Sequence, residues 1–243
     1  MPGRLLLVAT PIGNLEDLSP RATRALAEAD LVACEDTRHS GRLLAHLGVK
    51  KPLVSLHEHN ERQRLPRILD ALAAGETVAV VSDAGTPLLS DPGFPLVRAA
   101  VEAGHRVEAI PGPSAILAAL VASGLPPYPF TFSGFPPPKS GKRRAFYRRF
   151  AALGHTLVLF ESPHRLLASL EDALAELGDR RAAVGRELTK LHEEMLYGRL
   201  SEIATELARR PSLPGEFVLV VAGGDPAAGA GAGAGEAPTD GRD

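Results

Sequence analysis

Short apolar runs alternate with longer amphipathic stretches along the first half of the chain. An apolar run of four or five residues bounded by turn residues is typical of a buried strand, and apolar residues spaced three or four apart are typical of a helix. The pattern predicts strands at 5–9, 31–34, 53–56, 78–82 and 107–110, and helices beginning at Ser19-Pro20, over 39–47, through 68–72 to Gly75, over 96–103 and over 114–123. Strands that alternate with helices favour a largely parallel sheet.

A proline-rich stretch at 124–129 separates this pattern from a different one. Proline cannot donate to a sheet and stops a helix, so we expect a domain boundary near residue 125. Beyond it the pattern predicts strands at 130–135, 156–161, 182–187 and 216–222, an antiparallel strand at 193–198, and helices over 141–152, 165–177 and 200–208. We therefore predict two α/β domains, residues 1–124 with a mostly parallel sheet and residues 125–222 with a mixed sheet. The Gly/Ala-rich residues 223–243 have too little apolar surface to fold and are predicted to be a disordered tail.

Composition adds a few limits to this picture. The chain has 243 residues and a formal net charge of -2, so a nucleic-acid partner would have to bind a local patch. Its one cysteine, Cys34, excludes an internal disulfide and fits a reducing compartment. No apolar run approaches the ~20 residues that a membrane-spanning helix needs. We expect a cytoplasmic protein without a membrane partner.

Four predicted strands end in loops of Gly, Pro, Ser, Thr and Asp. The loops are Thr10–Asn14, Ser82–Gly93, Pro111–Ser114 and Glu161–His164. Because open α/β sheets bind ligands beyond the carboxyl ends of their strands, the loops predict one shared pocket. Neither G-x-x-x-x-G-K-[ST] nor G-x-G-x-x-G is present, so the usual phosphate-binding signatures are absent. Exposed carbonyls suit a ligand with an amine, an adenine and hydroxyls; the alternative is that the loops are simply tight turns.

Two other patterns give weaker chemical signals. Ser114 lies between a strand and a helix, as a hydrolase nucleophile does, but the second glycine of that motif is missing and a helix N-cap explains the serine better. His57 and His59 share a face of an extended segment, yet no third ligand is evident, so we predict no metal site.

Polar groups also follow the second and third strands. Asp36, Arg38, Glu58, His59 and Asn60 are candidates for substrate recognition or proton transfer. The alternative is that they are solvated loop residues that cap the next helices.

One segment of the chain is strongly cationic. No Asp or Glu occurs between Ala109 and Phe160, and the cluster there consists of Lys139, Lys142, Arg143, Arg144, Arg148 and Arg149. Phe146 and Tyr147 are interleaved with these cations, and cations with aromatic rings are how single-stranded RNA is held. The segment predicts an RNA-binding surface; the alternative is a solvated helix face whose aromatic residues lie in the core.

Taken together, the loops resemble the bacterial 16S rRNA (cytidine-2'-O)-methyltransferases of the tetrapyrrole methylase superfamily. The motifs that carry this resemblance are Leu7–Leu18, Cys34–Ser40, His57–Glu61, Val81–Gly93, Ile110–Ala115, Phe160–Arg165 and Arg186–Lys190. The resemblance covers about residues 4–222 in order.

The resemblance implies that S-adenosylmethionine binds in a cleft between two α/β domains of a homodimer. By their place in the motifs, the residues implied for the cofactor are Pro11, Ala84, Gly85, Thr86, Leu89, Ser114, Ala115, Phe160, Glu161, Leu188, Thr189, Glu216 and Phe217. The substrate implied is a cytidine ribose in the decoding region of 16S rRNA within the small ribosomal subunit.

The reaction implied is attack of a ribose hydroxyl on an activated methyl group, which requires alignment and removal of a proton. We expect Glu58 or His59 to accept the proton, and Arg38 or Lys190 to stabilise the oxyanion. The residues expected on the RNA side are Asp36, Asn60, Lys139, Lys142, Arg143, Arg144 and Arg165. A precorrin-type methyltransferase and a non-enzymatic RNA-binding module are the alternative functions.

Overall fold

A computed structural model describes residues 3–224 of the chain. Residue contacts divide the chain into two compact units. Among the described residues, the first unit comprises residues 3–118 together with Glu187–Glu194, and the second comprises Ala119–Arg186 and residues 195–224. No helix within residues 3–224 is long and apolar enough to cross a membrane.

The first unit is built on a five-stranded sheet in which every strand pair is parallel. The strands are β1 (Arg4–Val8), β2 (Leu31–Cys34), β3 (Leu53–Ser55), β4 (Thr77–Val81) and β5 (Arg106–Ile110), in the spatial order β3-β2-β4-β1-β5. The parallel sheet predicted from the apolar runs is confirmed.

A helix follows each of these strands. They are α1 (Pro20–Glu28), α2 (Thr37–His46), α3 (Glu61–Ala73), α4 (Phe94–Glu102) and α5 (Ala115–Ala122), and a 3-10 turn, Leu15–Asp17, precedes α1. The predicted start of α1 is confirmed: the hydroxyl oxygen of Ser19 accepts from the N–H of Ala22 at 3.0 Å, and Pro20 occupies the first helical position, where no N–H is needed.

Both faces of the first sheet are buried, and β4 shows how. Ala79 and Val81 belong to a core cluster with Leu26 of α1 and Leu44 of α2. The alternate residues of β4, 78 and 80, belong to a second cluster with helices α3 and α4. Because side chains alternate across a strand, an unbroken apolar run is what a strand covered on both faces requires.

The second unit contains a mixed five-stranded sheet. Its strands are β6 (Phe130–Phe132), β7 (Thr156–Glu161), β8 (Arg181–Arg186), β9 (Glu194–Arg199) and β10 (Phe217–Val221), in the order β6-β7-β10-β8-β9. β6 is parallel to β7, whereas β10 is antiparallel to both β7 and β8. β10, the last strand within residues 3–224, therefore lies at the centre of this sheet.

Three helices pack on one face of the second sheet. They are α6 (Ser140–Arg148), α7 (Leu166–Leu177) and α8 (Leu200–Ala208), and the core between them contains the fully buried Tyr147, Leu170 and Phe217. α6 is shorter than predicted because the chain turns more tightly after Arg148, where the N–H of Phe150 donates to the carbonyl of Tyr147 at 2.8 Å.

The predicted tail begins within the described residues. The N–H of Gly224 donates to the carbonyl of Leu153 at 2.7 Å, so Gly223 and Gly224 lie against the second unit. Residues 225–243, where the prediction of disorder otherwise falls, lie outside the described residues.

Candidate active site at the edge of the parallel sheet

The order of the first sheet creates a crevice at the carboxyl ends of β1 and β4. The helix after β1 packs on one face of the sheet with Leu26, and the helix after β4 packs on the opposite face with Leu96. β1 and β4 are neighbours in the sheet, and the chain leaves these two strands toward opposite faces of it. Such a switch point is where open α/β sheets bind ligands.

The loops after β1 and β4 are joined directly at this point. The N–H of Thr10 donates to the carbonyl of Gly85 at 2.9 Å, and the N–H of Gly85 donates to the carbonyl of Thr10 at 3.0 Å. The Thr10 hydroxyl also donates to the carbonyl of Ser82 at 3.3 Å. The two loops thus have one fixed arrangement.

The loop after β5 joins the same group. The Thr86 hydroxyl donates to the carbonyl of Pro113 at 3.1 Å. Gly85, between these loops, has a φ of 79°, and a Cβ there would lie 3.0 Å from Cγ2 of Ile12 and 3.5 Å from the Pro113 carbonyl oxygen. Only glycine fits this position without strain. Three of the four predicted loops therefore meet at one edge.

Residues 187–190 reach the same edge, although they follow a strand of the second unit. Cγ of Lys190 lies against Gly13, where a Cβ would come within 2.3 Å of it. Glu187 and Thr189 have positive φ values of 50° and 65°, and Nζ of Lys190 lies 2.9 Å from Oε1 of Glu187. Positive φ at residues other than glycine is uncommon and clusters at functional sites. Leu88 and Ser90, with φ values of 76° and 75°, bring the same property to the loop after β4.

The loops after β2 and β3 are also tied to the loop after β4. The N–H of Asp36 donates to Oδ1 of Asp83 at 3.3 Å. The N–H of Gly93 donates to Oε1 of Glu61 at 2.7 Å. As a result, the polar ends of all five strands form one connected edge.

Asp36 and Arg38 form a pair at the start of α2. The guanidinium lies 3.1 Å from Oδ2 of Asp36, and the backbone N–H of Arg38 donates to Oδ1 at 2.7 Å. These hydrogen bonds lower the pKa of Asp36 to about 2. The Arg38 side chain is 88% exposed, so its remaining donors face solvent.

Asn60 holds the loop after β3 together. Its amide oxygen accepts from the N–H of His57 at 2.9 Å, and its amide nitrogen donates to the carbonyl and hydroxyl oxygens of Ser55 at 3.1 Å. The predicted RNA contact of Asn60 therefore competes with bonds within its own loop. Glu58 and His59, in contrast, are exposed.

The acids beside Asp36 are functional groups that the sequence pattern did not single out. Burial and the nearby carboxylates of Glu35 and Asp83 raise the pKa of Asp91 to about 6. Burial and the nearby carboxylates of Asp83 and Glu58 raise the pKa of Glu35. In the sequence, the signal for this group of acids was the pair Asp83 and Asp91, which flank the loop after β4.

A separate group of predicted residues meets at the end of β7 in the second unit. Phe217, the first residue of β10, pairs with Glu161, and the Phe160 ring packs edge-on against Phe132 at 5.0 Å between centroids. The Glu161 side chain is 1% exposed and lies 3.3 Å from Nε of Arg165. Its Oε1 accepts from the N–H of Ser162 at 2.8 Å, whereas its buried Oε2 has no hydrogen-bond partner within residues 3–224.

The remaining predicted cofactor residues differ in exposure. Pro11, Ser114, Ala115 and Thr189 are half-buried, Leu188 is buried, and Ala84, Leu89 and Glu216 are exposed. The hydroxyl oxygen of Ser114 accepts weakly from the N–H of Leu117 at 3.5 Å, as expected near a helix start.

The cationic segment corrects one expectation. Arg143 is buried at 4% exposure and pairs with Asp172 of α7 at 2.7 Å, so it does not belong to a surface. Arg144 and Arg148 both pair with Glu176 of α7, at 2.7 and 2.8 Å. Carboxylates that follow in α7 supply the balancing charge that the segment itself lacks.

The interleaved aromatic residues of α6 also point inward. Tyr147 is fully buried and its hydroxyl lies 2.7 Å from that of Ser169, while Phe146 packs against the core. Of the predicted cationic contacts, Lys139 and Lys142 are exposed and have no ion-pair partner within residues 3–224.

His57 and His59 lie near each other without forming a metal site. Their ring centroids are 6.1 Å apart. Across residues 3–224 no group of three His, Cys, Asp or Glu residues is arranged to hold a metal ion.

Comparison with known proteins places this geometry in context. The family model described as Tetrapyrrole (Corrin/Porphyrin) Methylases matches residues 4–204. A protein named ribosomal RNA small subunit methyltransferase I from Xylella fastidiosa is 50% identical over 224 residues, which cover 91% of this chain and 82% of that protein. The protein of the same name from Pseudomonas aeruginosa is 50% identical over 223 residues, covering 91% of this chain and 79% of the relative.

Solved structures share the fold at lower identity. The uroporphyrin-III C-methyltransferase from Thermus thermophilus, complexed with S-adenosylhomocysteine, has a TM-score of 0.63 at 23% identity, covering 93% of this chain and 99% of that one. A diphthine synthase has a TM-score of 0.65 at 19% identity, with 90% of each chain covered.

Proposed function

The chain belongs to the tetrapyrrole (corrin/porphyrin) methylase family, and from that premise we propose that it methylates ribosomal RNA of the small subunit with S-adenosylmethionine. More specifically, we propose the 2'-hydroxyl of a cytidine in the decoding region of 16S rRNA as the acceptor. The observation that carries the proposal is the loop edge, by which we mean the hydrogen-bonded loops that follow the five strands of the first sheet. This edge occurs in a chain that is 50% identical to two proteins named for this activity. Methylation of a tetrapyrrole is not favoured, because the uroporphyrin methyltransferase is only 23% identical.

The residues present fit the cofactor. S-Adenosylmethionine carries an ammonium group, hydroxyls and an adenine amine, all of which need hydrogen-bond partners. The Thr189 Oγ1 atom is buried and has no hydrogen-bond partner among the described residues, and buried polar groups ordinarily have one. Gly85 lets the chain approach a ligand without a side chain intervening. We propose that Ala84–Thr86 and Thr189, which all belong to the first unit, hold the cofactor.

The bound cofactor supplies a methyl group that its sulfonium makes electrophilic. The protein must then hold the ribose oxygen in line with that methyl group and accept the hydroxyl proton as the new bond forms. We propose that His59 or Glu58 accepts the proton, because both are exposed at the start of α3. Lys190, packed across Gly13, and Arg38 are proposed to stabilise the developing negative charge on oxygen.

The RNA surface we propose is smaller than the cationic segment. It includes Lys139 and Lys142, which are exposed, together with the solvent-exposed portions of the Arg144 and Arg165 side chains. Each phosphate neutralised by such a cation releases counterions, so affinity should fall steeply as salt rises. Because the substrate is ribosomal, we propose that the protein works in the cytoplasm.

We also propose a homodimer. Val121 is exposed on α5, and next to it the hydroxyl of the exposed Tyr197 donates to the carbonyl of Ala122 at 3.1 Å. Neighbouring exposed apolar groups are common at protein interfaces. Sedimentation equilibrium of the full chain would give the mass of a dimer if the proposal is correct.

A transfer assay tests the proposed function. The full chain is incubated with S-adenosylmethionine labelled in the methyl group and with small ribosomal subunits that lack the modification. We expect label in one cytidine ribose, mapped by nuclease digestion and mass spectrometry. No label in RNA, or label in an added tetrapyrrole, would contradict the proposal.

Matched variants test the roles of individual residues in the same assay. Lys190→Met, Glu58→Gln, His59→Gln and Arg38→Met are each compared with Arg42→Met, which removes an exposed cation one turn further along α2. We expect at least one of the first four to lower kcat by about a hundredfold, the size typical of general acid–base and electrostatic contributions, and Arg42→Met to leave it unchanged. If all five variants retain normal turnover, the four roles are wrong.

A further inference from the structure

An exposed aromatic ring stands just before the cationic helix in the second unit. Phe135 is 51% exposed, although a phenylalanine side chain gains from burial. The Phe135 ring packs on the Phe160 ring at 5.4 Å between centroids, and the Phe160 ring in turn contacts Phe132. One side of the Phe135 ring thus rests on the protein, and a large part of its surface is open.

The backbone fixes the position of this ring. The N–H of Phe160 donates to the carbonyl of Gly134 at 3.0 Å, which extends the pairing of β6 with β7 to the residue before Phe135. Gly134 has a φ of 64°, a value that glycine adopts without strain. The chain therefore turns immediately before Phe135.

A rigid spacer connects the ring to two exposed cations. Residues 136–138 are all proline, and the carbonyl of Pro138 accepts from Nη1 of the buried Arg143 at 3.0 Å. Lys139 follows Pro138 directly and Lys142 lies in the first turn of α6, and both are exposed without an ion-pair partner among the described residues. The four residues from Phe135 to Lys139 can span at most about 14 Å, so the backbone of Lys139 stays near the ring.

An open ring next to unpaired ammonium groups is the combination that binds unpaired nucleotides. We propose that Phe135 is the platform on which one base of the RNA substrate stacks, with Lys139 and Lys142 contacting the adjoining phosphates. This inference rests on the proposed function, since it names the part of the chain that receives the RNA. It assigns to Phe135 the role that the inward-facing aromatic residues of α6 cannot fill.

The test uses the full chain and a 12-nucleotide single-stranded RNA that carries 2-aminopurine, a base whose fluorescence is quenched by stacking. Phe135→Leu keeps an apolar side chain on Phe160 but removes the aromatic face, and Phe135→Tyr keeps that face. Tyr128→Ala is the matched control, because Tyr128 is 87% exposed but lies at the amino end of β6, whereas Phe135 follows its carboxyl end.

We expect Phe135→Leu to abolish the quenching and to weaken RNA binding by at least about fivefold, the lower end of a base-stacking contribution. Phe135→Tyr and Tyr128→Ala should bind RNA as the unsubstituted chain does. The affinity for S-adenosylmethionine, measured by calorimetry, should be the same in all four proteins, and circular dichroism shows separately that each is folded.

Other results overturn the proposal. RNA binding by Phe135→Leu at full strength would mean that the ring does not stack on RNA, while leaving the proposed function intact. An equal loss in Tyr128→Ala would mean that exposed aromatic residues act without regard to position. A loss of S-adenosylmethionine affinity in Phe135→Leu would assign the ring to the adenine of the cofactor. If the unsubstituted chain binds neither this RNA nor small ribosomal subunits, the proposed function itself fails.

Discussion

The loop edge of the first unit and the cationic helix α6 of the second satisfy their polar groups in opposite ways. At the loop edge, backbone groups bond to one another, as in the double hydrogen bond between Thr10 and Gly85. On α6, side-chain charges are paired with side-chain charges, as in Arg143 with Asp172. The first arrangement fixes the chain and leaves side chains available. The second uses the side chains themselves as connections between helices.

The difference shows which polar clusters are available to a ligand. The cations of α6 that face α7 are structural, and those that precede or flank this face remain open. Thus Arg143 is buried, whereas Lys139 and Lys142 are exposed. A count of cations along the segment therefore overestimates the surface that RNA can contact.

The largest effect we predict is that of Arg143→Ala, which removes the ion pair between α6 and α7. The guanidinium donates to Asp172 and to the carbonyls of Pro138 and Ala168, so its removal leaves a nearly buried carboxylate without its cation. Breaking a buried pair from one side costs about 3–5 kcal/mol of unfolding free energy. Urea denaturation followed by circular dichroism measures this loss.

Arg144→Ala is the control for that variant. Arg144 pairs with Glu176 from a half-exposed position, and exposed pairs contribute less than about 1 kcal/mol. If both variants lose the same small amount of stability, the pairing of Arg143 is not the structural connection described above.

Gly85→Ala tests the loop edge instead. A Cβ at Gly85 requires a strained backbone and presses on Ile12, so we expect the joined loops to shift and the affinity for S-adenosylmethionine to fall at least about tenfold. Calorimetric titration measures this change.

Gly104→Ala separates backbone strain from the position of the loop. Gly104 has a φ of 76°, close to that of Gly85, but a Cβ there would meet nothing within 4 Å. Gly104→Ala should lower the free energy of unfolding by about as much as Gly85→Ala does, and it should leave the affinity for S-adenosylmethionine unchanged. Equal cofactor affinity in the two variants would argue against a binding role for the loop at Gly85.

The fold was predictable wherever the apolar pattern was local. A strand such as β4 is buried on both faces and therefore reads as an unbroken apolar run, and α1 carries its own start signal in Ser19 and Pro20. The meeting of the first three loops followed from the prediction of a parallel sheet, because the carboxyl ends of parallel strands share an edge.

What the sequence could not predict depends on pairs that are far apart along the chain. Asp172, which removes Arg143 from the surface, is 29 residues away on another helix. Likewise, the contact of Lys190 with Gly13 arises because residues 187–194 return to the first unit between two strands of the second. In both cases the residue type was visible in the sequence, and its neighbour was not.

The smallest effect we predict concerns Asp91, an acid of the loop edge that differs from Asp172 in having no cation paired with it among the described residues. Burial and neighbouring carboxylates raise its pKa from 3.8 to about 6. Between these values the native state holds a proton that the unfolded state has released, so stability falls as pH rises from about 4 to about 7. Because Asp91 is only partly buried, solvent screening reduces the loss to about 1 kcal/mol.

Asp91→Asn removes the charge and with it this loss. The variant should be more stable than the unsubstituted chain at pH 8 by about 1 kcal/mol and equally stable near pH 4, as measured by urea denaturation at each pH. Asp70→Asn, which changes an exposed carboxylate on α3, should not show this dependence on pH. A stability difference for Asp91→Asn that stays constant from pH 4 to 8 would mean that the crowded acids do not repel one another. The contrast with the paired acids of α7 would then lose its electrostatic basis. Charged Asp91, which has no paired cation among the described residues, would be no less stable than charged Asp172 beside Arg143.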